Sequence, residues 1–354
     1  MRKSRKLDHL RYAMTVADGP TSSGFEDIKL IHNCLPELDW GDIDLSSSLA
    51  GLPLRHPIIV NAITGGAEEV TRINAALADF ARRTGTAMAV GSQYAAFEYP
   101  EVKGSYEIVR KINPDGIVFA NLGAHATPEQ ARLAIEMIGA DAIQIHLNAA
   151  QEIIMAEGER RFSGYLENIA AIVAAVKVPV IVKEVGCGIA REQATQLTLA
   201  GVRAIDVGGA GGTNFIAIEA ARTATALADD FLVWGIPTVV SAIEVASVLP
   251  KGVDLVVSGG VRTPTAAVKG LVIGGAAVGI ASPLIKMLTE QGMEQTVAWF
   301  ERFLTDMKRL LLLLGVRTVG DCAAAPFVVT GFSREWLECR GFDIKIYGQR
   351  KKHG

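Results

Sequence analysis

Short apolar runs, many of them rich in Val and Ile, recur along the chain and predict eight buried β-strands. Each run is apolar at nearly every position, which is typical of a parallel strand covered on both faces. A strand with one solvent face would instead alternate between apolar and polar residues. The predicted strands cover residues 57–62, 86–90, 116–121, 142–146, 180–183, 204–208, 255–258 and 277–280.

The segments between these strands have the spacing of amphipathic helices. In residues 68–83 the apolar positions follow one another in steps of three and four, which places them on one helix face. Thr127-Pro128 predicts a helix start, with the threonine as N-cap and the proline at the first helical position. Further helices are predicted at residues 190–200, 234–249 and 263–272.

Eight successive strand–helix units favour an α/β fold, a TIM (β/α)8 barrel, in one domain. The alternative is a doubly wound sheet, which typically has five or six strands. We divide the single domain, residues 1–354, into an arm (1–56), the barrel (57–285), and C-terminal helices with a tail (286–354). The arm is polar and irregular in pattern. A run of leucines at 310–314 indicates a buried helix, with a subunit interface as the second interpretation.

Composition argues against two classes of protein, disordered proteins and nucleic-acid-binding proteins. Hydrophobic residues make up 49% of the chain and charged residues 21%, which excludes a disordered protein. A net charge of −3 does not favour a nucleic-acid surface. Glycine is enriched, at 36 of 354 residues, compared with the usual share of about 7%.

The spacing of the cysteines indicates a reducing compartment, and no targeting signal is predicted. The four cysteines are far apart and have no metal-site spacing, which is typical of free thiols. No apolar run reaches the length of about 20 residues that a membrane helix needs, and the basic N-terminus is not followed by the apolar core of a signal peptide. We therefore expect a cytoplasmic protein that binds neither membranes nor nucleic acid.

The chemistry is expected at the carboxyl ends of the strands, where TIM barrels carry their active sites. The glycine turns after strands seven and eight, with Arg262 beside Gly259 and Gly260, favour a phosphate site at helix N-termini. The alternative is that these glycines only make tight turns. The glycine run at 208–213 lacks the spacing of a dinucleotide fingerprint.

Four other places in the sequence carry candidate ionic chemistry. Lys183 ends an apolar strand, where it could form a Schiff base, stand beside an electron-rich cofactor ring, or pair with Glu184. His146 ends strand four, either as a site group or as a hydrogen-bonded core histidine. Glu152 could hold Mg²⁺ together with water and a ligand phosphate, or could be an exposed helix residue. In the arm, the basic cluster could clamp an anion or could be solvated; it comprises Arg5, Lys6 and His9.

Taken together, these motifs resemble the type 2 isopentenyl-diphosphate isomerases, the FMN-dependent kind, over nearly the whole chain. The matching segments are RKxxH at residues 5–9, NAITGG at 61–66, GSQ at 91–93, ANLG at 120–123, HLNxxQE at 146–152, VKEVGxG at 182–188, GGTNF at 211–215 and SGG at 258–260. The sequence departs from the family pattern at Tyr94, where many members have arginine, and at Arg262-Thr263-Pro264, where many have RxGxD.

The resemblance implies a TIM barrel and a set of site residues. FMN contacts are implied for Ala62, Ile63, Thr64, Ser92, Asn121, Lys183, Thr213, Gly259, Gly260, Val261, Ala281 and Ser282. The implied substrate-binding residues are Arg5, Lys6, His9, Ser92, Gln93 and Gln151. Gln151 would touch the isoprenoid, His146 would act near the diphosphate, and these two are the expected catalytic residues. Glu152 would bind Mg²⁺.

The implied reaction converts isopentenyl diphosphate to dimethylallyl diphosphate in isoprenoid biosynthesis, by adding one proton and removing another without net redox change. The resemblance also implies reduced FMN, NADPH as the reductant, and a homo-oligomer, either a tetramer or an octamer. Because the few ionisable residues at the mouth already have ion-binding roles, we favour the reduced flavin as the acid and base, with Gln151 orienting or relaying.

Two other functions remain as alternatives. An FMN-dependent 2-hydroxyacid oxidase or dehydrogenase needs a histidine base and arginine clamps, and no histidine lies near Arg262 in the sequence. A non-catalytic barrel that binds a phosphometabolite would leave Lys183 and the pair Gln151-Glu152 unexplained.

Overall fold

The computed structural model describes Tyr12 and residues 19–62, 66, 70–223 and 225–350. Its strands are β1 (Ile28–Leu30), β2 (Ser47–Leu49), β3 (Leu52–Leu54), β4 (Ile58–Val60), β5 (Ala87–Ala89), β6 (Val118–Gly123), β7 (Ala142–Leu147), β8 (Val180–Glu184), β9 (Ala204–Asp206), β10 (Asp254–Ser258), β11 (Ala277–Ile280) and β12 (Phe327–Val329).

The α-helices are α1 (Thr71–Thr84), α2 (Ala95–Glu98), α3 (Gly104–Ile112), α4 (Pro128–Ile138), α5 (Ala149–Ile154), α6 (Tyr165–Ala175), α7 (Arg191–Leu199), α8 (Phe215–Thr223), α9 (Asp229–Leu232), α10 (Thr238–Ala246), α11 (Pro264–Ile273), α12 (Ser282–Gln291), α13 (Met293–Leu314), α14 (Gly331–Cys339) and α15 (Lys345–Gly348). Short 3-10 helices lie at Phe25–Asp27, Trp40–Asp42, Pro100–Val102 and Gly320–Ala324. No helix in the described part of the chain is long and apolar enough to cross a bilayer.

Strands β4 to β11 form a closed, all-parallel barrel in which each strand pairs with the next one along the chain. The closing pair joins β11 to β4, with Ile280 opposite Val60. The predicted TIM barrel is therefore confirmed, and all eight predicted strands belong to it. The closing pair also excludes the open, doubly wound sheet.

The barrel interior changes from apolar to polar along the strand direction. Near the amino ends the inward side chains are apolar, as at Ile59 and Phe119. Two residues further on, the same face carries Asn61 and Asn121, because successive side chains alternate between the two faces of a strand. The apolar base of the barrel is thus followed by a polar layer that lies next to the site.

The hairpin of β2 and β3 closes the amino-terminal end of the barrel. Leu49 and Leu54 pack in one cluster with the apolar base of the barrel. The hairpin is also tied down by polar contacts, since Ser47 Oγ donates to the carbonyl of Ala276 at 2.6 Å and the Ala50 amide donates to Asp254 Oδ2 at 2.6 Å.

The helices around the barrel follow the local signals in the sequence. The apolar stripe of α1 buries Leu77 and Phe80, and the helix ends at Gly85, whose φ of 71° suits a left-handed C-cap. Thr127 caps α4 through a capping box with Gln130. In α13 the leucine run is buried on one side only, since Leu311 is fully buried while Leu313 is 50% exposed.

The arm is more ordered than its polar pattern predicts. Besides the hairpin it contains β1, which pairs antiparallel with β12 from the C-terminal segment, with Ile28 opposite Val329. The prediction of an irregular arm was wrong at these strands. Each is only three residues long and its partner is remote or tightly turned, so no local periodicity marks it.

Candidate active site

A cavity of about 370 Å³ lies at the carboxyl ends of the barrel strands. Each strand or the loop after it contributes to the lining, and representative lining residues are Ala62, Ser92, Asn121, His146, Lys183, Gly208, Ser258 and Ala281. This is the face on which TIM barrels carry their active sites, and its size suits a small-molecule ligand.

The structure brings the predicted cofactor residues together around this cavity. Those in the described part of the chain all line it: Ala62, Ser92, Asn121, Lys183, Thr213, Gly259, Gly260, Val261, Ala281 and Ser282. Ile63 and Thr64 lie outside the described residues. Side chains and backbone from seven different strand ends thus meet where the motifs predicted one ligand.

The predicted substrate-binding and metal-binding residues fall into those that line the cavity and those that the structure does not describe. Ser92, Gln151, His146 and Glu152 line the cavity. Arg5, Lys6 and His9 lie outside the described residues.

Gln93 is not among the residues that line the cavity. Its buried side chain donates from Nε2 to the carbonyl of Ala134 at 2.9 Å and accepts from the Asn121 amide at 3.0 Å. This side chain thus joins β6 to α4, and the substrate contact predicted for Gln93 stays a prediction. Gln93 follows Ser92 directly in the turn after β5, and its side chain lies against β6 and α4 rather than toward the cavity.

The glycine turns are packed against each other so closely that no side chain would fit. A Cβ added at Gly259, whose φ is 106°, would lie 2.2 Å from the carbonyl oxygen of Gly209. A Cβ at Gly212 would lie 2.5 Å from the amide nitrogen of Gly260. Contact between these two turns therefore requires glycine on both sides.

The helices that follow these turns begin beside the cavity. Thr263 caps α11 by accepting from the Ala266 amide at 3.1 Å, and α12 begins at Ser282. The hydroxyls of Thr213 and Ser282 are 2.6 Å apart. Helix N-termini, hydroxyls and exposed backbone amides together suit a phosphate group.

Lys183 is buried at the end of β8. Its Nζ donates to the main-chain carbonyl of Glu184 at 2.8 Å. The Glu184 carboxylate accepts from successive backbone amides, including those of Val185 and Gly186, both at 2.7 Å. Burial nevertheless raises the pKa of Glu184 to about 7, against the lowering effect of these bonds and of Lys183. Lys183 therefore places a cation at the cavity wall while Glu184 fixes the loop after the strand.

Gln151 is held by a buried carboxylate. Its Nε2 donates to Glu219 Oε1 at 2.7 Å, and Arg222 Nε donates to the other oxygen of Glu219 at 2.7 Å. Arg222 also reaches Glu157, which lines the cavity, at 2.6 Å. Because Glu219 is fully buried and can only accept, it determines which end of the Gln151 amide is the donor.

Glu152 carries its charge beside two neutral donors. Asn148 Nδ2 donates to Oε1 and the Glu159 amide to Oε2, both at 2.8 Å. In the part of the chain that the structure describes, no group of three or more His, Cys, Asp or Glu residues could hold a metal ion. A divalent cation at Glu152 would therefore need water or ligand oxygens for most of its coordination.

Several residues at the cavity or directly behind it were given no role by the sequence patterns. Tyr94 and His125 line the cavity with their rings 4.8 Å apart, and nothing in their local sequence pattern marks His125. Glu219 and Asp206 were detectable, because each is a charged residue within an apolar segment. The criterion applied to Lys183 would have identified both.

Comparison with known proteins agrees with this geometry. Residues 115–328 match the family model of FMN-dependent dehydrogenases. The isopentenyl-diphosphate delta-isomerase of Symbiobacterium thermophilum is 46% identical and covers 99% of each chain. That of Moorella thermoacetica is 48% identical over 96% of this chain and 97% of the relative.

Solved structures support the fold. A mandelate oxidase variant with an FMN adduct has a TM-score of 0.65 at 17% identity, covering 91% of this chain and 99% of the oxidase chain. A lactate oxidase of Pediococcus acidilactici has a TM-score of 0.66 at 18% identity, covering 92% and 87%. At such low identity the likeness concerns the barrel and not the chemistry.

Proposed function

The chain belongs to the isopentenyl-diphosphate delta-isomerases, and we propose that it interconverts isopentenyl diphosphate and dimethylallyl diphosphate using bound FMN and Mg²⁺, in isoprenoid biosynthesis. One observation carries the proposal. The described residues that the motifs assign to FMN line a single cavity together with Gln151 and Glu152.

The cavity fits a flavin mononucleotide. The abutting turns of Gly212 and Gly259 leave room only for backbone, and the N-termini of α11 and α12 suit its phosphate. Lys183 would place its positive charge beside the flavin ring. Reduced FMN, with NADPH as the reductant, would supply proton transfer to and from the alkene.

The substrate diphosphate needs cationic partners. We assign it to Ser92 and His146 at the cavity, with Arg5, Lys6 and His9 from the arm. Glu152 would hold Mg²⁺, which neutralises diphosphate charge and takes its other ligands from phosphate and water.

The isomerisation is balanced in protons. One C–H bond forms at the terminal alkene carbon, and another breaks at the CH₂ group on the far side of the internal alkene carbon. The double bond therefore moves by one position and no electrons leave the substrate. Gln151 is a neutral amide and cannot act as a strong acid, but its fixed donor end leaves Oε1 as an acceptor of defined direction. We assign it the orientation of the isoprenoid or a proton relay, with His146 as the second catalytic residue.

The cellular setting belongs to the same proposal. Four cysteines without disulfides support a cytoplasmic enzyme. Exposed apolar side chains such as Leu313 and Phe332 support assembly into a tetramer or an octamer. Light scattering on the purified full chain measures that state directly.

An anaerobic assay with reduced FMN, Mg²⁺ and isopentenyl diphosphate tests the activity. We expect dimethylallyl diphosphate to form, and no oxidation of lactate or mandelate by the same preparation. Glu152→Gln should raise the Mg²⁺ concentration needed for half-maximal rate. Absence of product from protein that has bound FMN would overturn the assignment.

The role of the flavin is tested separately with 5-deaza-FMN, which lacks the N5 nitrogen. We expect this analogue to bind and turnover to be lost. Turnover equal to that with FMN would contradict acid–base chemistry at the flavin.

A further inference from the structure

Five side chains form a continuous hydrogen-bonded chain across the inside of the barrel. We call it the polar chain; it comprises His146, Asn121, Gln144, Asn61 and Asp206. Gln144 and Asp206 are fully buried, and Asn121 and Asn61 nearly so. Its members lie on β6, β7 and β9 or directly after β4, so hydrogen-bonded barrel strands fix the positions of their backbones.

Each link has ordinary hydrogen-bond length. Asn61 Nδ2 donates to Asp206 Oδ2 at 2.6 Å, and Gln144 Nε2 donates to Asn61 Oδ1 at 3.0 Å. Asn121 Nδ2 donates to Gln144 Oε1 at 3.1 Å. The final link joins His146 Nδ1 to Asn121 Oδ1 at 2.9 Å.

The direction of these bonds is fixed by chemistry at the Asp206 end. An ionised carboxylate can only accept, and the Gly208 amide, which can only donate, reaches its Oδ1 at 3.3 Å. Asn61 must therefore turn its NH₂ group toward Asp206. The backbone amide of Ala62 confirms that orientation, because it donates to Asn61 Oδ1 at 3.0 Å.

The donor and the acceptor at each further link of the polar chain follow from the link before it. With Asn61 Oδ1 as acceptor, Gln144 must present Nε2 to it and Oε1 to Asn121. Asn121 then presents Nδ2 to Gln144 and Oδ1 to the histidine. An amide oxygen can only accept, so the ring nitrogen that faces it must carry a proton.

We propose that Asp206, Asn61, Gln144 and Asn121 are positioning residues that hold the neutral imidazole of His146 in the tautomer protonated at Nδ1. In this tautomer Nε2 carries the lone pair and accepts hydrogen bonds. At the diphosphate contact, which rests on the proposed function, the ring would then donate from Nε2 only as imidazolium. The tautomer itself is defined without any substrate.

The ring nitrogens of ¹⁵N-labelled, FMN-loaded protein report the tautomer by NMR, at an alkaline pH where the ring is neutral. The His146 signals are identified by their absence in His146→Gln. We expect the proton on Nδ1 and the lone pair on Nε2. A ring protonated mainly on Nε2 would overturn the proposal, whether or not the protein isomerises its substrate.

Two variants then test whether the polar chain determines the tautomer of His146. Gln144→Met interrupts it at similar size, and we expect the ratio of Nδ1–H to Nε2–H to fall roughly fivefold, as for one lost neutral hydrogen bond. Adding Asn121→Asp to that variant supplies an oxygen that can only accept, and should restore the ratio. An unchanged ratio in Q144M, or no restoration in the double variant, would show that the chain does not set the tautomer.

Ser258→Ala is the matched control. The Ser258 hydroxyl also bonds Asp206, so the variant loosens the same carboxylate without interrupting the polar chain. We expect the wild-type ratio. A ratio that falls as far as in Q144M would mean that general loosening of the barrel, and not the chain, moves the proton. If Q144M does not fold, the tautomer of the wild-type protein still tests the proposal.

Discussion

At the scale of single residues, the site depends on buried polar groups whose partners come from other elements. Glu219 lies in α8, yet its carboxylate fixes the amide of Gln151 in α5. A buried carboxylate of this kind is costly unless every lone pair finds a donor, and Arg222 supplies the second one. The pair Gln151–Glu219 therefore combines a stability requirement with a positioning function.

Glu219→Gln should separate these two functions. Arg222 can only donate, so the substituted amide turns its oxygen toward Arg222 and its NH₂ group toward Gln151, which reverses the direction of the Gln151 amide. We expect kcat for isopentenyl diphosphate to fall roughly 10- to 100-fold with KM much less affected. Thr223→Ala, which removes a hydroxyl from the same helix, serves as the control and should keep kcat within twofold or so. Equal losses in both variants would argue against a positioning role.

His56 makes stability depend on pH at a place remote from the cavity. Burial lowers the pKa of His56 from 6.5 to about 4, because the charged ring cannot be hydrated against Phe300. The unfolded chain takes up a proton below pH 6.5 that the folded protein does not. Stability is therefore complete above that pH and declines as the pH falls toward 4.

Urea unfolding of His56→Gln at pH 7 and pH 4.5 tests this coupling. The wild-type protein should lose up to about 3 kcal/mol more than the variant over that interval. His32→Gln, at an exposed histidine, should follow the wild-type curve. Parallel curves for wild type and H56Q would contradict the assignment.

Where a motif fixes both identity and spacing, the sequence predicts which residues lie at the cavity. Ser92, Asn121 and Lys183 were placed at the cavity by their positions at strand ends. The same motif includes Gln93, whose side chain does not line the cavity, because a motif does not say which way a side chain points. Glu219 and Asp206 stand out in the sequence as charged residues within apolar segments, but their partners lie in other elements, which spacing does not reveal.

At the scale of elements, the glycine turns are the part of the site that tolerates least change. Gly259→Ala would push a methyl group into the carbonyl of Gly209, so the two turns would separate and the phosphate cradle would widen. We expect the dissociation constant for FMN to rise by at least about tenfold, the loss of one good contact.

Gly252→Ala is the matched control for this change. Gly252 also has a positive φ, of 91°, but a Cβ there meets nothing within 4 Å. Both variants carry the strain of a left-handed alanine, about 1 kcal/mol. Titration of FMN followed by flavin fluorescence should show weakened binding for G259A only. Similar weakening in G252A would mean that strain, and not the contact between turns, controls the site.

The barrel strands were predictable because each is apolar throughout and bounded by helices with clear start signals, as at Thr127. The strands outside the barrel were not. β1 finds its partner β12 at the far end of the sequence, so its formation is decided by packing and not by local pattern. Short strands of this kind have no periodicity from which they could be inferred.

At the scale of the whole molecule, the hairpin of β2 and β3 closes the barrel at the end opposite the site. Leu49 is fully buried there among the inward-facing residues of the strands. Leu49→Ala should lower the free energy of unfolding by about 2–5 kcal/mol, since the rigid barrel cannot collapse around the cavity left behind.

This loss of stability should not affect FMN binding at the opposite end of the barrel. Folded L49A should bind FMN with the wild-type dissociation constant, measured below the onset of unfolding. Leu199→Ala, at a side chain that is 84% exposed, should change stability by no more than about 0.5 kcal/mol. A change in FMN affinity in L49A would show that the base of the barrel transmits strain to the site.

The pairing of β1 with β12 has a consequence for synthesis. During translation the barrel strands emerge in the order in which they pair, so each new strand meets a neighbour that is already present. β1 leaves the ribosome before all of them, but its partner arrives only after the barrel has been made. β1 is thus paired after the barrel strands, and it lacks its strand partner until β12 has emerged.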